Sequence, residues 1–262
     1  MDRVLLDFGF IKIYWYSITM FLGVLLGIIT AYLEVKRKKI DIKKFEDMAF
    51  YAIIFGFIGA RIYYVLFNLD YYLSNLSEIV MVWHGGLAIH GGIIGAVLAM
   101  YVYCKKKKLS FIEMLDICAP ALIIGQVIGR WGNFFNSEAH GGIVSLEFLE
   151  SLHLPEFIIN GMHIDGVYYH PTFLYESVFN LICFIILIIL RHNKKIHLGF
   201  ITGFYFVWYS IVRFFVESLR TDSLMLGSLR MAQVISIVLF IIGIILIAQS
   251  LRKELYNKED VK

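Results

Sequence analysis

Proline and cysteine are scarce in this chain, with three of each among 262 residues. So few prolines leave little room for a disordered linker, and there is no low-complexity tail and no internal repeat. The cysteines (Cys104, Cys118 and Cys183) imply no disulfide framework. Cys104 abuts the Lys105–Lys108 block and the other two lie inside apolar runs, where a thiol is structural filler rather than a reactive thiolate. No Cys/His cluster has metal-ligand spacing. Charged residues make up only 17% of the chain, with a net charge of +3. Two long stretches, 68–84 and 134–170, contain no Lys or Arg. Gly-x-Ser-x-Gly, His-Glu-x-x-His and paired aspartates within apolar runs are absent too, which argues against an intramembrane protease.

What is abundant is apolar surface. The composition is 59% hydrophobic and the mean hydropathy is +0.73, against about 45–50% apolar for a soluble domain. Runs long enough to span a bilayer as helices fall at roughly 14–35, 48–67, 85–104, 112–133, 171–190, 199–219 and 229–250. The expected fold is therefore an all-α polytopic membrane protein with seven transmembrane helices, forming one integral-membrane domain over 1–262. Basic blocks follow the first, third, fifth and seventh spans: Lys36–Lys39 with Lys43 and Lys44, then Lys105–Lys108, then Arg191, Lys194 and Lys195, then Arg252, Lys253, Lys258 and Lys262. The positive-inside rule then puts the N-terminus outside and the C-terminus in the cytoplasm, with Arg3 and Lys12 the minority against it. The first span is too long for a signal peptide, and its heavier positive flank is on the wrong end, so it is retained. On the outer side, 68–84 is expected as a short arm and 134–170 as a small head with some strand character. Gly23/Gly27, Gly91/Gly95 and Gly125/Gly129 are small-xxx-small pairs suited to close helix packing.

Polar residues recur at one depth. Counting ~1.5 Å per residue from each basic block places His90, Arg61, Arg213, Tyr16, His170, Glu217 and Arg130 about 22–33 Å from the cytoplasmic face. That is the outer half of a core ~30 Å thick. Each has an ordinary reading taken alone: an ion pair for Arg213 and Glu217, an arginine paired with carbonyls for Arg61, an interior histidine for His90, an aromatic belt for Tyr16. Arg213, Glu217 and Arg220 follow i, i+4, i+7 spacing and share a helix face. Ionisable groups within a membrane are costly and mark functional sites. Arginines gathered near the outer leaflet favour an anion, for which the guanidinium offers a planar fork of donors, and the common anion at that depth is a phospholipid phosphate.

The runs His84-Gly-Gly-Leu-Ala-Ile-His-Gly-Gly-Ile-Ile-Gly95, Gly129-Arg-Trp-Gly-Asn-Phe-Phe-Asn-Ser-Glu-Ala-His-Gly141, His170-Pro-Thr-Phe-Leu-Tyr-Glu176 and Arg213-Phe-Phe-Val-Glu-Ser-Leu-Arg220 resemble, in order, the motifs of the prolipoprotein diacylglyceryl transferase family. The likeness begins at Tyr14-Trp-Tyr16 and runs to the seventh span, with 143–169 carrying no firm motif. It implies a multi-pass enzyme of the bacterial cytoplasmic membrane, with its active site toward the outer leaflet. Such an enzyme moves the diacylglyceryl group of phosphatidylglycerol onto the lipobox cysteine thiol of a preprolipoprotein, forming a thioether and releasing glycerol phosphate. The implied partners are phosphatidylglycerol, the signal-peptide lipobox and membrane lipids, not nucleic acid, and the resemblance implies neither a metal nor an organic cofactor.

Read against that chemistry, Arg130 and Arg213 are candidates to bind the phosphate and stabilise its departure. Asn133 and Asn136 are candidates to orient its oxygens or the headgroup. His90 is the candidate general base for a thiol of reference pKa ~8.5, the rival view being that the arginine field alone lowers the thiol pKa. Glu217 is expected to hold Arg213, Gly141 to make a tight turn into the head, and Glu138 to position it. Tyr16 is counted with the substrate-binding residues, and Arg61, His170, Tyr175, Glu176 and Arg220 with the wall around them. The alternative reading is a phospholipid or anion transporter or flippase with an outer-leaflet arginine site. That reading calls for polar residues through the full membrane depth and an inverted repeat.

Overall fold

A computed structural model describes residues 3–9 and 12–257; Lys258 and Lys262 of the last basic block lie outside the described residues. The long helices are α1 (Trp15–Arg37), α2 (Ile42–Leu66), α4 (Ile89–Lys107), α5 (Phe111–Asn136), α8 (Thr172–Leu190), α9 (Phe200–Leu219) and α10 (Met231–Ser250). Short helices α3 (Leu69–Ser74), α6 (Leu146–Ser151) and α7 (Glu156–Gly161) fill the connections. Six helices (α1, α2, α5, α8, α9 and α10) are long and apolar enough to cross a membrane. The seventh expected span, α4, is not among them: its first turn is Ile89-His90 with two glycines, and its last turn carries Lys105, Lys106 and Lys107.

Several boundaries differ from the hydropathy reading for local reasons. Helix α2 starts before its apolar run because the Asp41 side chain caps it, accepting from the Lys44 N–H at 3.4 Å. Helix α4 starts later, since Gly85 and Gly86 sit at φ 88° and 81° and cannot be helical. Helix α5 runs on through Asn136, so the first half of the Gly129–Gly141 run is helix rather than loop.

The chain divides into two compact units, one from the N-terminal stretch to Leu33 together with Leu115 onward, the other Glu34–Met114. In the first, α1 and α5 approach at glycine: a Cβ on Gly27 would lie 2.9 Å from the Ala121 carbonyl oxygen, and one on Gly23 3.1 Å from that of Gly125. In the second, α2 and α4 are closer still, with a Cβ on Gly95 only 2.2 Å from the Phe55 oxygen. Gly129 was expected to take part in such packing, but a Cβ there would meet nothing nearer than the Met20 sulfur at 3.8 Å.

Residues 143–169 form a small three-stranded antiparallel sheet of β3 (Ile143–Val144), β4 (His163–Ile164) and β5 (Val167–Tyr169) in the order β3-β5-β4. Asp165 and Gly166, both at positive φ, make the two-residue turn between β4 and β5, as Asp-Gly does in tight hairpins. This head packs on the end of α5 and the start of α8 through buried Phe134, Leu149, Ile158, Met162 and Phe173. At the N-terminus, β1 (Val4–Asp7) and β2 (Lys12–Tyr14) pair antiparallel, and β2 leads directly into α1.

Candidate functional site

The first unit gathers arginines and buried carboxylates from α5, α8 and α9. Glu176, on the first turns of α8, is 2% exposed. Its Oε1 lies 2.6 Å from Arg130 Nη2, and its Oε2 accepts from Arg213 Nη1 at 3.1 Å. On α9, Arg213 Nη2 reaches Glu217 Oε2 at 2.7 Å, the pairing that i, i+4 spacing allows. Arg220 extends the same row, 4.0 Å from Glu217 Oε2, and donates from Nε and Nη2 to both oxygens of Asp222 at 2.9 Å. Burial works against the charge of Asp222, but these bonds outweigh it and hold its carboxyl below the usual range. Arg230 closes the row by donating to the Glu217 carbonyl. The motifs contained no signal for Arg230, which lies outside all of them. Glu176, counted among the wall residues, instead sits at the centre, bridging Arg130 and Arg213.

The two central arginines differ in what they have left to give. Both terminal nitrogens of Arg213 face carboxylates. Arg130 faces one carboxylate through Nη2, while its Nε is buried and hydrogen-bonded to nothing among the described residues. An unsatisfied buried donor is costly.

The end of the Gly129–Gly141 run is stitched between α8 and α9. Thr172 Oγ1 donates to the Ala139 carbonyl at 2.7 Å, Gly141 N–H donates to His170 and Gly142 N–H to Leu219, each at 3.0 Å, and Gly141 forms a β-bridge with Arg220. Gly141 does not make the expected turn. The positive φ angles fall at Ser137 (54°) and Ala139 (57°), and the glycine is needed because a Cβ would lie 2.5 Å from that of His170. The His170 ring contacts Phe148 and has Nδ1 3.3 Å from the Tyr175 hydroxyl; burial lowers its pKa.

Asn133 accepts the Glu138 N–H through its backbone, and the Glu138 side chain is exposed. Tyr16 lies over α5, its ring 2.9 Å from where a Gly132 Cβ would be. Tyr16, Asn136 and Glu138 line a cavity of about 440 Å³, which contains none of the clustered arginines.

The second unit holds Arg61 and His90. Arg61 is 7% exposed and spends its donors on backbone carbonyls: Nε to Ile79 at 2.9 Å, Nη1 to Gly85 and Gly86 at 2.6 and 2.8 Å, Nη2 to Glu78 and Met81 at 2.5 and 3.4 Å. The guanidinium also lies 5.2 Å from the centre of the Tyr72 ring. Arg61 therefore shapes the loop before α4 and has no donor left for a ligand. His90, on the first turn of α4, is half-buried. Its ring lies 6.2 Å from that of Tyr63 and makes no hydrogen bond among the described residues.

The model of the family described as prolipoprotein diacylglyceryl transferase matches residues 3–249. The chain is 52% identical over 250 residues to the phosphatidylglycerol–prolipoprotein diacylglyceryl transferase of Clostridium novyi (strain NT), covering 95% of this chain and 96% of that one. Identity to the protein of the same name from Staphylococcus saprophyticus is 50% over 247 residues, or 94% of this chain and 88% of the relative. For the one from Listeria monocytogenes serotype 4b it is 48% over 262 residues, or 99% and 94%.

Proposed function

The chain belongs to the prolipoprotein diacylglyceryl transferase family, and we propose that it transfers the diacylglyceryl group of phosphatidylglycerol to the lipobox cysteine of preprolipoproteins. Sulfur attacks the glyceryl carbon bearing the phosphate ester, a C–S bond forms, and the C–O bond breaks with its electron pair remaining on the phosphate oxygen. A phosphate monoester leaves with one more negative charge than the diester carried, so donors fixed in advance beside that oxygen lower the barrier. The observation that carries this reading is Arg130, whose guanidinium the Glu176 carboxylate holds in place while its Nε–H has no hydrogen bond among the described residues. Arg213, fixed by Glu176 and Glu217, supplies positive field from the adjoining helix face. In this reading His90, the histidine of the family motif, takes the thiol proton; its ring makes no hydrogen bond among the described residues.

The same reading makes α4 the seventh span: its 19 residues rise ~28 Å, and its terminal lysines can snorkel to the interface. The basic blocks then lie in the bacterial cytoplasm and the N-terminus outside, with the 143–169 head and the arginine cluster toward the outer leaflet. A transporter is disfavoured because the relatives are named as transferases. The test supplies detergent-purified protein with phosphatidylglycerol and a lipobox peptide and follows the mass gain on the peptide cysteine. Transfer by the wild type and its loss in Arg130→Ala are expected. No transfer by the wild type, or undiminished transfer by the variant, would refute the assignment.

A further inference from the structure

Arg3 stood out in the charge pattern as a cation on the wrong side of the membrane. The structure gives it a place. Its carbonyl accepts the Trp15 N–H at 3.2 Å, which pins the residue before β1 against the start of α1. The cation at the start of β2, Lys12, is paired with Asp7 at 3.2 Å. Arg3 instead lines the 440 Å³ cavity with Tyr14, Tyr16, Ser17, Asn136 and Glu138. Neither Arg3 nor Glu138 has an ion-pair partner among the described residues, so two unpaired charges of opposite sign line one cavity.

We propose that this cavity holds the extracytoplasmic residues that follow the acceptor cysteine, with Arg3 and Glu138 selecting among them by charge. This rests on the transferase reading. The volume falls within the ~300–1,000 Å³ usual for a ligand site, and every side chain named above is a hydrogen-bonding or charged group. A phospholipid phosphate is a poor occupant because the Glu138 carboxylate would repel it, whereas a polypeptide brings both N–H and C=O groups. Tyr14 and Tyr16 offer rigid amphipathic surface at small entropic cost. The strand carrying Tyr14 is hydrogen-bonded only to β1 among the described residues, so its second edge can pair with an extended chain. Asn136 lies about 9 Å of helix rise beyond Arg130 and about 120° round α5 from it, so an extended peptide at ~3.4 Å per residue needs at least about three residues to pass from one to the other.

The experiment uses the full-length protein in phosphatidylglycerol-containing detergent micelles. Lipobox peptides carry Asp, Ser or Lys at the positions after the cysteine, and kcat/KM is measured for each. The wild type is expected to discriminate between the Asp and Lys peptides. Arg3→Glu should shift the Asp-to-Lys ratio at least ~10-fold toward Lys, and Glu138→Lys should shift it toward Asp. Peptide discrimination by the wild type reads the same site without a substitution, should a variant fail to fold. Equal ratios in all three proteins would overturn the proposal, as would a change confined to KM for phosphatidylglycerol. Failure of the wild type to modify any peptide would instead bring down the transferase reading on which this one stands.

Discussion

Replacing Glu176 by Gln tests the arrangement at its centre. The carboxylate stands between Arg130 and Arg213, 2.6 Å from one and 3.1 Å from the other. At an effective dielectric near 20, each contact at ~3 Å carries about 5 kcal/mol of Coulomb attraction before desolvation is subtracted. Breaking a buried ion pair from one side has a net cost of about 3–5 kcal/mol, because the partner charge stays buried. Gln fills the same volume and can still accept from one guanidinium, but its amide N–H₂ then faces the donors of the other. The expected loss is therefore about 3–5 kcal/mol, or a fall in Tm on the order of 10 °C for a chain of this size. Intrinsic tryptophan fluorescence during heating in detergent reads it. Transfer to a lipobox peptide should fall at least ~10-fold, equivalent to ~1.4 kcal/mol of barrier. Added phosphatidylglycerol should raise the Tm of the variant more than that of the wild type, since its phosphate replaces the missing negative charge. Glu176→Asp, which keeps the charge but cannot reach both arginines, should fall between the two. A Glu176→Gln protein within ~1 kcal/mol of the wild type in stability and equal in transfer would refute the view that the carboxylate organises both arginines.

Two further outcomes follow from other parts of the structure. Arg61→Lys keeps the charge but replaces a planar fork with one ammonium, so carbonyls among Glu78, Ile79, Met81, Gly85 and Gly86 lose partners. Hydrogen exchange across 75–88 should speed up and stability should fall by about 1–3 kcal/mol, and unchanged exchange would show that the loop holds itself. Burial lowers the pKa of His170, so the folded state prefers the neutral ring. Its stabilising contribution is complete above the unfolded value of ~6.5 and is lost as pH falls below that toward the depressed value. Stability curves between pH 7 and 5 should slope downward on acidification and flatten in His170→Asn, whereas identical slopes would remove the assignment.

The hydropathy profile and the lysine blocks already located the long helices, with most ends within three residues and the start of α2 six residues out, because helix length and apolar content are local properties that a bilayer selects directly. The Arg213–Glu217–Arg220 face was equally legible, since residues three and four apart on a helix meet whatever the tertiary fold. Motifs in linear order carried the family. What packing alone decided involves partners distant in sequence. Glu176 looks like a wall residue until α5, α8 and α9 are brought together, and only then does its carboxylate fall between two arginines. Arg61 reads as part of the wall around the anion site, but folding of the loop before α4 turns five carbonyls toward it. Gly141 suggests a turn by residue type, whereas the crowding against His170, Thr172 and Leu219 that requires it comes from three other segments. In each case the deciding quantity is a distance between residues far apart in the chain, which residue type and spacing do not contain.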